Sequence, residues 1–117
     1  MNIVEKLADD VWKIKGDSNM YVLMLDHPVV IDAGNRKDRQ NIIMFLGKLV
    51  DFDKVKTVIF THLHYDHIGN FDLFPNAEFY ASKQAIADLK KSPEDTILDK
   101  DMAEKLDVNL KPVKDMM

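Results

Sequence analysis

The sequence predicts an α/β domain of mixed, layered type, and three observations carry that prediction. Short apolar runs rich in β-branched residues recur along the chain, each bounded by turn residues. Between them lie segments with apolar residues at helical spacing and recognisable caps. The succession condenses to β-β-β-α-β-α-β, an alternation from which sheets layered with helices are built. The 117 residues suit one compact domain, which buries about two thirds of its surface on folding. No internal repeat, low-complexity stretch or linker divides the chain, so residues 1–117 read as a single unit.

The elements follow in order. Val11 to Ile14 alternates weakly as a strand, and Gly16-Asp17-Ser18-Asn19 supplies the turn after it. Met20 to Leu25 and Val29 to Ile31 are apolar runs flanking Asp26-His27-Pro28, which predicts a hairpin with at least one buried face. Pro28 sits at the strand entry, where its missing N–H does no harm. His27 is expected to be an exposed turn residue. Asp32-Ala33-Gly34-Asn35 closes the strand. Asn35 is a plausible N-cap, and Ile42, Ile43, Phe45, Leu46, Leu49 and Val50 predict a helix with one broad apolar face. The basic stretch Arg36-Lys37-Asp38-Arg39 reads as a solvated helix start.

Asp51-Phe52-Asp53 breaks the helical pattern, and Val55 to Phe60 is the next strand. A short segment to Pro75 precedes another strand over Glu78 to Ala81. Ser82 then caps a helix to Lys91, with Ile86 and Leu89 inward and its last lysines at the negative helix end. Ser92-Pro93-Glu94-Asp95 opens a further helix carrying Ile97, Leu98, Met102 and Leu106. Asn109 to Val113 reads as a last strand.

Composition removes several function classes. With 46% hydrophobic and 31% charged residues the chain reads as globular. A net charge of −4 and no basic patch argue against a nucleic-acid partner and leave a small-molecule substrate as the expectation. The absence of cysteine removes disulfides, thiolate ligands and a thiol nucleophile, and fits a cytoplasmic location. No signal-peptide core is present, and no apolar run approaches the ~20 residues of a membrane span.

Three of the four histidines fall within the stretch Thr61-His62-Leu63-His64-Tyr65-Asp66-His67-Ile68-Gly69-Asn70, directly after a strand. Imidazole and carboxylate are the usual side-chain ligands of zinc and related divalent ions. His62 and His64 share one side of an extended segment. Asp66 and His67 are adjacent, so a turn separates them from the first pair, and Gly69 supplies backbone freedom for it. Two half-sites result, His62 with His64 and Asp66 with His67.

This pattern resembles the metallo-β-lactamase-fold superfamily of metallohydrolases. Ser18-Asn19-Met20-Tyr21 is similar to the family's Asn-x-Tyr strand opening, and Val30-Ile31-Asp32-Ala33-Gly34 to its Ile-Asp-x-Gly turn. The resemblance implies the N-terminal half of an αββα sandwich. His62, His64, Asp66 and His67 would hold two divalent ions, zinc first and iron or manganese as alternatives. Asp66 would also orient the nucleophile, a metal-bound hydroxide attacking an ester, thioester or lactone. Asp32 would hydrogen-bond toward the metal loop without binding metal. Diiron flavoprotein relatives typically carry Glu at the place of His64, which favours the hydrolase branch.

The family's later metal ligands do not appear in these residues. A complete fold of this type needs about 200 residues or more, so the domain reads as truncated before its second half. Two ligands per half-site fall short of the three that a catalytic zinc takes. Three expectations follow: weak metal binding and little turnover by the chain alone, an apolar sheet face including Val22, Met24, Val30 and Ile59, and self-association or a complementary C-terminal half as partner. The alternative is a non-catalytic fragment or half-subunit that needs a second half to complete its site.

Overall fold

The computed structural model describes residues 3–63, 65–91 and 110–112. Seven strands form one sheet in sequential order: β1 (Val4–Ala8), β2 (Val11–Ile14), β3 (Met20–Met24), β4 (Pro28–Ile31), β5 (Thr57–Ile59), β6 (Glu78–Ala81) and β7 (Leu110–Pro112). β1 to β4 pair antiparallel and β4 to β7 pair parallel. The helices are α1 (Arg39–Leu46), the single turn α2 (Tyr65–Ile68) and α3 (Lys83–Lys91). Among the described residues no helix is long and apolar enough to cross a membrane.

Short turns set the antiparallel half, while the parallel half needs crossovers. Each crossover from β4 onward steps the same way along the sheet. Right-handed connections that all step one way place their helices on one face. The register shows which face. Trp12, Val22, Val30, Val58, Phe79 and Leu110 are successive cross-strand partners. Val22, Val30 and Val58 are fully buried, in one cluster with Ile42 and Leu46 of α1 and Leu89 of α3. The next row, Lys13, Tyr21, Ile31, Ile59, Tyr80 and Lys111, lies on the opposite face, where Tyr21, Ile31 and Ile59 remain half-buried.

Several sequence expectations are corrected here. Val22, Met24 and Val30 belong to the packed side, because strand alternation puts them toward α1; the open face carries Ile59, as expected, together with Tyr21, Leu23, Val29 and Ile31. β1 was not anticipated, since its Val4-Glu5-Lys6-Leu7-Ala8 sequence is charged and mostly exposed. Charged residues are how an edge strand avoids further pairing, so the apolar signal is absent there for a physical reason. The first helix ends at Leu46, capped by the Gly47 N–H on Ile43 O, and leaves Ile43 and Met44 exposed. Its apolar face is therefore narrower than the spacing suggested. The fifth strand spans Thr57–Ile59 within the expected Val55 to Phe60.

Other elements match. β3 and β4 form the hairpin, with Pro28 first in its strand and His27 exposed in the turn. The Ser82 hydroxyl accepts from the Ala85 N–H and caps α3. The last strand appears over Leu110–Pro112. The helix expected from Ser92 onward lies outside the described residues.

Parallel pairing of β4, β5 and β6 brings their C-terminal ends to one edge of the sheet. Asp32, Thr61-His62 and Ser82 all follow at that edge, where α/β sheets commonly place their sites.

Candidate metal centre

The site is assembled from two loops, one after β4 and one after β5. Asp32 leaves β4 in the left-handed region, at φ 66°, and Gly34 follows at φ 67°. A non-glycine residue in that region is uncommon, and Asp is among those that tolerate it best. The carboxylate is turned toward the β5 loop and is 3% exposed with its residue. Its Oδ1 accepts the Thr61 N–H at 2.8 Å, and its Oδ2 accepts the Thr61 hydroxyl at 2.7 Å. The same Oδ2 lies 3.0 Å from His67 Nδ1. Ser18 Oγ lies 3.1 Å from that nitrogen, bringing in the turn before β3.

His62 follows β5 and His67 sits in α2, yet their ring centroids are 4.9 Å apart at an interplanar angle of 39°. Each Nδ1 is engaged close by, that of His62 with Thr61 Oγ1 at 3.2 Å and that of His67 with Asp32. A carboxylate accepts, so this contact favours the tautomer with the proton on His67 Nδ1, which leaves Nε2 the nitrogen suited to a metal. This carboxylate–histidine pairing is how metal-ligating histidines are commonly oriented. The donor set therefore fits a divalent ion of borderline softness.

His64 and the Asp66 side chain lie outside the described residues. Among the described residues, no three His, Asp or Glu groups are placed to hold one ion. The structure thus brings together Asp32, His62 and His67 of the expected set.

The β5 loop is held by apolar packing and by two arginines. Ile68, Phe71 and Phe74 are buried, and Phe71 packs edge-on against Phe79 with ring centroids 5.8 Å apart. Gly69 has no room for a side chain, since a Cβ would come 2.5 Å from Arg36 N and 2.8 Å from Gly34 O. Arg36 and Arg39, read as part of a solvated helix start, instead clamp this loop. Arg36 donates to Gly69 O at 3.1 Å. Arg39 donates to Asp72 at 2.8 and 3.3 Å as a two-pronged pair. Burial raises the Asp72 pKa, but the hydrogen bond and charge of Arg39, with the charge of Arg36, outweigh it and hold the carboxyl below its ordinary value. The two arginines lie one turn apart around the 3-10 turn Arg36–Asp38, which Asn35 caps through the Lys37 N–H. That spacing was the available signal.

Beside His62 lies an open pocket of about 230 Å³, walled by Thr61, Leu63, Ser82, Gln84, Ala85 and Asp88. It gives the site a flank formed by α3.

Fold and loop geometry together define a member of the metallo-β-lactamase-fold class. The family model for the metallo-beta-lactamase superfamily matches residues 15–113, and the chain belongs to that superfamily. It is 46% identical over 56 residues to a probable metallo-hydrolase of Methanocaldococcus jannaschii, covering 46% of this chain and 27% of that protein. It is 31% identical over 100 residues to a probable metallo-hydrolase of Streptococcus pyogenes serotype M6, covering 81% of this chain and 40% of the relative. Among solved structures it is similar to BJP-1, a subclass B3 metallo-beta-lactamase of Bradyrhizobium japonicum. That similarity has a TM-score of 0.69 and 21% identity, over 86% of this chain and 40% of that one. A flavodiiron protein of Giardia intestinalis shares the fold at a TM-score of 0.63 and 19% identity, over 84% of this chain and 30% of that one. The chain thus spans less than half the length of the relatives and structures it matches, a partial metallo-β-lactamase sandwich.

Proposed function

We propose that this chain carries the first metal-binding half of a hydrolase acting on an ester, thioester or lactone. His62 and His64 would hold one divalent ion, Asp66 and His67 a second, with zinc the leading candidate. The ions would supply Lewis acidity and lower the pKa of water toward neutrality. Asp66 would orient the attacking water. Asp32 would keep the His67 Nδ1 protonated and its ring fixed, while Thr61 steadies His62. The pocket flanked by α3 leaves room for the part of a small-molecule substrate next to the reacting bond.

The observation that carries this reading is the approach of His62 and His67 to 4.9 Å with Asp32 behind one of them. Two ligands per ion fall short of the three a catalytic zinc needs. The remaining ligands would come from the portion of the fold that this chain does not match. The same portion would cover the half-exposed row Tyr21, Ile31 and Ile59, as the second layer of an αββα sandwich. The test is zinc titration of the chain combined with an ester, thioester and lactone panel. Weak zinc binding lost in His62→Ala and His67→Ala, with little turnover, is the expected result. Tight equimolar zinc with rapid turnover would overturn the half-site reading, and zinc binding indifferent to both substitutions would overturn the metal centre.

A further inference from the structure

Asn70 is completely buried, and its polar groups bridge the two loops that build the site. Its Nδ2 donates to Ala33 O at 2.9 Å and to Asn35 O at 3.0 Å. Its Oδ1 accepts from Arg39 Nη1 at 3.3 Å. The two carbonyls flank Gly34, and Asp32 stands immediately before them, so the amide spans the left-handed turn from outside. Two backbone bonds run parallel to it, Ala33 N–H to His67 O at 2.5 Å and Gly69 N–H to Gly34 O at 2.8 Å.

We infer that Asn70 is a positioning residue for His67, acting through the turn that aims Asp32; the inference rests on reading this loop as a metal centre. A turn with Asp32 at positive φ persists only where its surroundings over-determine it. The planar amide supplies that constraint with two donors at fixed separation, while Arg39 fixes the amide's orientation through its oxygen. Without the donors, Ala33 O loses its side-chain partner inside the protein, which favours relaxation of the turn. The carboxylate then swings away from His67 Nδ1, and the ring is no longer held in one tautomer or one direction. Asn70 thereby couples the spacing of two loops to the readiness of one imidazole.

The test compares the parent chain with Asn70→Asp, Asn70→Ala and a core control, Val22→Ala, whose side chain takes no part in these hydrogen bonds. Asn70→Asp keeps the volume and the acceptor facing Arg39 but removes both donors, so it decides the matter if Asn70→Ala does not fold. The first readout is the imidazole ¹⁵N spectrum of His67 in metal-free protein, and the second is zinc affinity by chelator competition. In the parent, His67 is expected to show a single Nδ1-protonated form. In the Asn70 variants it is expected to show mixed tautomers, and zinc affinity to fall by about tenfold or more. Val22→Ala is expected to alter neither, despite its loss of stability. A folded Asn70→Asp chain with the parent's His67 spectrum would overturn the inference. If no protein binds zinc, the metal reading fails while the His67 spectrum alone still decides the role of Asn70.

Discussion

At the scale of single residues, Asp32 does the most with the fewest atoms. Its two oxygens accept from Thr61 N–H, the Thr61 hydroxyl and His67 Nδ1. Asp32→Asn replaces one oxygen by a donor. Whichever way the amide settles, one donor then faces another, and His67 escapes the clash only by moving its proton to Nε2. The expected outcome is a loss of about 1–3 kcal/mol in denaturant stability, with the His67 tautomer reversed in its ¹⁵N spectrum. Gly69 answers to sterics instead. Its surroundings are backbone atoms of the 34–36 loop, which cannot step aside as a side chain would. Gly69→Ala should cost about 1–3 kcal/mol through overpacking, measured by urea unfolding. In a protein holding the completed site, the role proposed for Asp66 means that Asp66→Asn should remove most of the turnover, on the order of a hundredfold, and weaken the second of the two proposed metals. Steady-state rates with metal analysis check both.

At the scale of elements, the clamp between the 3-10 turn Arg36–Asp38, the start of α1 and the loop after α2 is what the structure adds. Asp72 carries its charge balance. Its pKa lies below the ordinary 3.8 because the hydrogen bond and charge of Arg39, aided by Arg36, outweigh its burial. The sign then follows. The folded state binds this proton less readily than the unfolded one, so the stabilisation is complete above pH 3.8 and disappears as pH falls through the lower folded value. Asp72→Asn should therefore lower stability at neutral pH, and the gap to the parent should close as pH falls through the depressed Asp72 value of the folded parent. Urea midpoints across the acid range check this.

The same elements show what could be read in advance. The hairpin, the Ser82 cap and the strand ahead of the histidines announced themselves through local chemistry: apolar runs, a turn proline, a capping hydroxyl. β1 did not, because an edge strand trades apolar residues for charge. The narrow face of α1 did not either, since exposed Ile43 fits the helical pattern as well as buried Ile42 and Leu46 do. The clamp made by Arg36 and Arg39 depends on residues more than thirty positions away, a pairing that no local pattern carries. His62 and His67 were legible as metal-type residues from spacing alone. Their mutual distance, and the bridge that Asn70 makes between the two loops, required the fold.

At the scale of the whole molecule, the sheet has one face packed by α1 and α3 and one left half-buried. Leu23, Val29, Ile31 and Ile59 lie on the second face with Tyr21. A second layer seated there would gain about 25 cal/mol per Å² of apolar surface removed from water. Leu23→Lys should leave the core and the metal loop intact while weakening pairing with the complementary portion of the fold by about tenfold or more. Sedimentation of the mixed parts reads that difference directly.

On the proposed function, the loop from His62 to His67 is a metal centre organised by Asp32. Four histidines give four separable imidazole signals, and exposed His27 in its distant turn serves as an internal control. The decisive measurement is a zinc titration followed through those signals. The His62 and His67 resonances should shift together while His27 stays still. His67→Ala should also weaken the response at His62. Zinc that moves His27 as much as the pair, or leaves His62 and His67 unmoved, would contradict that reading.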